Sequence, residues 1–162
     1  MTTIVGIDPG AAGAIAQISP MVGIWRMPKS DRALVDLLQM FDPATTRVYI
    51  ERAQAMPQKA ARDKSRGFET GTSMFSYGVG YGLIRGVLAA RRLWYREVAA
   101  ATWKADLGLW RQPKAESVVR ARQLFPEAID QIGRSDGKAE AVLIAYWGQR
   151  RGEQPELFRG VA

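Results

Sequence analysis

The 162-residue sequence contains no cysteine and no histidine. These two absences exclude disulfides, thiolate zinc sites, Cys–His nucleophiles, Ser-His-Asp triads and every metal motif built on imidazole. Any catalysis therefore runs on carboxylates, lysines, hydroxyls or a metal held by oxygen. Long apolar runs are lacking too. No stretch approaches the roughly 20 residues that span a bilayer, and Met1-Thr2-Thr3 leads into a strand pattern without a positively charged leader. The expectation is a soluble intracellular protein with no membrane partner. The low hydrophobicity and high charge of disordered chains are also missing, since 47% of residues are hydrophobic and 24% charged. The length suits a single domain, expected over residues 1–152, with a tail at 153–162 that should fray.

Positive charge is abundant. Lys and Arg number 23 against 16 Asp and Glu, a net charge of +7. This biases the chain toward polyanions and makes nucleic acid the leading partner class, with no small-molecule substrate expected.

The first fifty residues read as strands joined by tight turns. Thr3-Ile4-Val5-Gly6-Ile7 ends in Asp8-Pro9-Gly10, Gly13 to Ile18 alternates, and Val22 to Met27 completes a three-stranded meander. Asp31 can cap a helix carrying Leu34, Leu37, Leu38 and Phe41 at helical spacing. Val48-Tyr49-Ile50 reads as a fourth strand ending at Glu51, and Leu93 through Val98 as a fifth. Gly71 to Ala90 reads as a helix with Gly71, Gly78, Gly82 and Gly86 on one stripe, which suggests close packing against the sheet or a second subunit. Lys114 to Phe125 and about Ser135 to Arg151 form the last helices. The order β-β-β-α-β-α-β-α-α implies an α/β fold. Its five-stranded mixed sheet combines an antiparallel three-stranded meander with parallel strands and is flanked by helices.

Asp8 and Glu51 stand at the ends of two strands that crossover logic can place side by side, where two converging like charges call for a cation. With no histidine, an all-oxygen shell suits Mg²⁺ or Mn²⁺. Asp136 and Glu140 lie four apart near the start of the last helix and share a face. Each acid has a plainer role open to it. Asp8 suits a turn cap, Glu51 a solvated strand end, and Ser135 or Asp136 a helix N-cap.

Between Glu51 and the glycine helix, the segment from Met56 to Phe68 carries Lys59, Arg62, Lys64 and Arg66 with one acid and no periodicity. It reads as a mobile loop whose basic side chains would meet phosphates, while Met56 or Phe68 would wedge into an opened base step. Trp103 and Trp110 flank a Lys-containing segment where stacking on bases is open, although burial is the commoner fate of tryptophan.

Taken together, Gly6-Ile7-Asp8-Pro9-Gly10, Tyr49-Ile50-Glu51 and Asp136-Gly137-Lys138-Ala139-Glu140-Ala141 resemble the RuvC-type Holliday junction resolvases of the RNase H-like nuclease superfamily. The resemblance covers nearly the whole chain. It implies an RNase H-like fold and a homodimer. It also implies that Asp8, Glu51, Asp136 and Glu140 bind two Mg²⁺ or Mn²⁺ ions per active site and hydrolyse phosphodiesters in four-way DNA junctions. Lys104 and Lys114 resemble family lysine positions and would neutralise or hold phosphates. One departure stands out: the family spaces its last two acids three apart, and here Gly137 occupies that place. The implied location is the cytoplasm of a bacterial cell or a phage-infected host. A less selective RNase H-like nuclease acting on flaps or RNA–DNA hybrids, or a protein that binds junctions without cutting, remains open. A kinase-like or actin-like ATPase would need two such lobes, for which this chain is too short.

Overall fold

The computed structural model describes residues 1–53 and 71–152 of the chain. Five strands form one sheet: β1 (Thr3–Asp8), β2 (Ala14–Gln17), β3 (Gly23–Arg26), β4 (Thr46–Glu51) and β5 (Trp94–Val98), in the order β3-β2-β1-β4-β5. The meander β1-β2-β3 is antiparallel, and β1, β4 and β5 run parallel. This is the mixed sheet that the strand pattern implies.

Alternation along the strands sorts side chains into two layers. Val5, Ile7, Ile15, Val48 and Ile50 face α1 (Asp31–Leu38) and α2 (Gly71–Ala90), meeting Leu34, Leu38, Ile84 and Leu88. Ile4, Ala14, Ala16 and Tyr49 face the opposite way, onto α6 (Asp136–Arg151). There α3 (Ala100–Asp106), α4 (Lys114–Leu124) and α5 (Ile129–Ile132) complete the layer.

Helix α6 lies unusually close to the sheet. A Cβ on Gly6 would sit 2.1 Å from the Ala141 carbonyl oxygen, and one on Gly148 would sit 2.1 Å from the Tyr49 ring. Tyr49 fills the remaining space, edge-on to both Trp94 and Trp147. Because Ile4 and Tyr49 point toward α6, the same period of two turns Asp8 and Glu51 toward α6 as well.

Three details differ from the pattern reading. Ser30, not Asp31, caps α1, its hydroxyl accepting from the Ala33 N–H. Helices α3 and α5 have no counterpart in that reading. The glycine stripe of α2 does not face the sheet: added Cβ atoms at Gly78, Gly82 and Gly86 meet nothing within 4 Å. The helix is seated instead through Tyr81, Ile84, Val87 and Leu88. The expected C-terminal tail lies outside the described residues. No helix among the described residues is long and apolar enough to cross a membrane.

Candidate active site

Asp8 ends β1 and Glu51 ends β4. Since Ile7 pairs with Ile50 in the parallel register, the two carboxylates leave neighbouring strands side by side. Asp8 does serve its turn, with Oδ1 accepting from the Gly10 N–H at 3.2 Å. Burial is the main force on this carboxyl, raising it from 3.8 to about 6. The Gly10 N–H acts in the opposite sense, and the charges of Glu51 and Glu140 push it further up. Burial also raises Glu51, opposed by an N–H donated from Trp103 and aided by the charge of Glu140. The three acids from β1, β4 and α6 therefore feel one another, although 89 residues of sequence separate Glu51 from Glu140.

Glu140 arrives on the second turn of α6. Its Oε1 accepts from Lys104 Nζ at 2.8 Å and from the Ser117 hydroxyl at 3.3 Å. The Lys104–Glu140 pair is mostly enclosed, with side-chain exposures of 22% and 13%. Among the described residues no three acidic side chains are grouped closely enough to hold a metal ion between them. Glu140 is engaged by Lys104.

Asp136 has partners of its own. Its Oδ1 accepts from the Gly137 N–H at 3.0 Å, and its Oδ2 lies 3.6 Å from Lys114, both side chains well exposed. Ser135 supplies the N-cap of α6, accepting from the Lys138 N–H. Gly137 is backed onto the turn that follows Asp8, where a Cβ would lie 2.2 Å from the Ala12 carbonyl oxygen and 2.8 Å from Gly13 Cα. The place where the resemblance expects an acid has no room for any side chain.

Two further groups are brought to the site that the sequence does not single out for it. Trp103 is fully buried and donates its indole N–H to Glu51 Oε2 at 2.8 Å, so it is a support of the site and unavailable for base stacking. Tyr77 on α2 has its hydroxyl pushed up by burial and by the charges of Glu51 and Asp8, which places it beside the acids. Burial and a carboxylate partner are tertiary facts, and no local pattern announces them. Trp110 is 46% exposed. Met56, Lys59, Arg62, Lys64, Arg66 and Phe68 lie outside the described residues.

The fold is shared with solved structures. Thermus thermophilus RuvC in complex with a Holliday junction substrate superposes with a TM-score of 0.62 at 13% identity, covering 94% of this chain and 97% of that one. A second T. thermophilus RuvC structure gives 0.59 at 12% identity, covering 93% and 97%. No protein-family model and no curated protein matches the sequence. The chain thus has the RNase H-like fold of RuvC, with the five-stranded mixed sheet and flanking helices expected of it.

Proposed function

We propose that this chain is a divalent-metal-dependent endonuclease that resolves four-way DNA junctions, working as a homodimer. The observation that carries this reading is the placement of Asp8 and Glu51 side by side at the ends of neighbouring parallel strands in a RuvC-like sheet, with Glu140 of α6 near enough for its charge to act on both. The junction bound by the solved T. thermophilus protein supports the substrate class.

The donor set suits a hard cation. Asp8 and Glu51 offer only oxygen, and mutual repulsion together with burial leaves them short of positive charge. These two would hold the ion, and the pair of ions that the resemblance implies would draw on Glu140 and Asp136 as well. Bound there, a divalent ion supplies an activated water and stabilises the leaving 3′ oxygen. Trp103 fixes one oxygen of Glu51 and leaves the other free to ligate. Lys114 opens α4 and is 85% exposed, a suitable group for a flanking phosphate. The basic segment that starts shortly after Glu51 would add Lys59, Arg62, Lys64 and Arg66 to the phosphate contacts, with Met56 or Phe68 opening the junction.

The outward face of α2 supports the homodimer. Phe75 and Val79 are 73% and 53% exposed there, in line with the open glycines 78, 82 and 86. Two coordinated cuts in a two-fold symmetric substrate need two active sites.

The test is a substrate panel in Mg²⁺: four-way junction, flap, RNA–DNA hybrid and linear duplex. Paired symmetric nicks in the junction alone are expected. Asp8→Asn and Glu140→Gln should abolish them while junction binding persists, and full-rate cleavage by either variant overturns the reading. Equal cutting of every branched substrate would mark a less selective nuclease, and binding without cutting an architectural protein.

A further inference from the structure

We propose that this site takes one divalent cation, held by Asp8 and Glu51, and that the Lys104 ammonium provides the positive charge a second ion would bring. The inference rests on the nuclease reading for its chemistry and on four observations for its geometry.

Glu140 is already engaged. Lys104 and Ser117 both donate to its Oε1, inside a largely enclosed pair. Asp136 is turned to Lys114 and to the N–H of Gly137. Position 137 admits no side chain, because a Cβ there collides with backbone at Ala12 and Gly13. That backbone has little freedom to yield: the Gly13 N–H donates to the Gly10 carbonyl at 2.8 Å, and a Cβ on Gly13 would lie 2.1 Å from the Asp8 carbonyl oxygen. A second ion therefore has no uncommitted carboxylate beside Glu140.

The lysine is built in. Helix α3 places two consecutive residues on two different acids of the site, with Trp103 donating to Glu51 and Lys104 to Glu140. The Lys104 ammonium also lies 5.0 Å from the centre of the Trp103 ring, a cation–π contact that holds it over the site. Three carboxylates and one ammonium leave two negative charges, the complement of one divalent ion. A fixed ammonium differs from a metal in that it cannot activate water, so the two halves of the site are chemically unequal: Asp8 and Glu51 serve the ion, while Lys104 and Glu140 serve charge balance at the phosphate.

The experiment counts Mn²⁺ bound per chain from the loss of the free-ion signal in electron paramagnetic resonance, using the full chain without DNA. The wild type is expected to bind one ion. Lys104→Met, which keeps the aliphatic stem, should bind the first ion roughly tenfold more tightly or more, as removal of a neighbouring positive charge demands, and admit a second. Lys104→Arg should stay at one. A wild-type count of two, or a Lys104→Met variant with unchanged count and affinity, overturns the proposal. Circular dichroism of each variant checks that it is folded. A count of two in a chain that still nicks junctions sinks the single-ion proposal and leaves the nuclease reading standing. A count of one in a chain that cuts no nucleic acid does the reverse.

Discussion

Asp8 is a carboxyl kept from water beside two others, and its proton is correspondingly hard to remove. Its value in the folded protein is about 6 against 3.8 in a free chain, so between those values the native state binds more protons than the unfolded one. Stability then falls as pH rises from about 4 to about 6, and the loss, on the order of 3 kcal/mol, is complete above that range. Asp8→Asn keeps an oxygen for the Gly10 N–H and removes the charge. It should melt several degrees above the wild type at pH 7.5 and together with it at pH 4, measured by thermal denaturation without metal. Adding Mg²⁺ should raise the wild-type midpoint and leave the variant where it was. Trp103 acts on the neighbouring acid. Trp103→Phe keeps an aromatic body but deletes the N–H that opposes the rise in Glu51. Cleavage is expected to fall about 10- to 100-fold, the usual cost of losing a support to a ligand, and the acid limb of the pH–rate profile should move to higher pH. An unmoved profile would make Trp103 a packing residue alone.

At the scale of elements, glycines do opposite things in two helices. In α6, Gly137 lets the helix start lie on the backbone of the turn that carries Asp8. Gly137→Ala forces the two apart and should cost about 1–3 kcal/mol, the range for overpacking, or more where backbone must move. In α2 the glycines face open space, so Gly82→Ala should stabilise the isolated chain by about 1 kcal/mol through helix propensity. If that face pairs with a second copy, the same change weakens the dimer, and sedimentation at several concentrations separates the two effects. The sequence made both helices legible by period, and α6 by its N-cap as well. It could not say which way the α2 stripe turns, because exposure depends on where Tyr81 and Leu88 find a core. The strands were legible from β-branched runs, and the pairing of Asp8 with Glu51 from their places at two strand ends. Helix α3 escaped because it spans seven residues with no side-chain cap at Ala99, and α5 because it is a single turn after a 3-10 turn at Pro126–Ala128. The shared face of Asp136 and Glu140 was a sound inference from spacing. The spacing could not tell that the two carboxylates take different partners, Lys104 of α3 and Ser117 of α4 for Glu140 and Lys114 of α4 for Asp136.

Across the whole molecule, charge is divided between internal work and surplus. Arg85 pairs with Glu97 at 2.7 Å, Arg151 with Asp106, and Lys104 with Glu140, so these cations largely serve the fold and the site. A net charge of +7 remains, and four positive residues lie within the eight positions from Lys59 to Arg66, shortly after Glu51 in the chain. Phosphate contacts by that group release counterions, and each contributes about 0.9 to the slope of log affinity against log salt on duplex arms. Replacing Lys59, Arg62, Lys64 and Arg66 together by alanine should therefore flatten the slope for a four-way junction by roughly 3 to 4 if all four meet phosphates. The acidic residues are all retained in this variant, so residual cleavage at low salt should still need Asp8. Binding isotherms at several salt concentrations measure the slope directly, and an unchanged slope would move the DNA path off this segment and onto the cations of the described surface, Lys114 first among them.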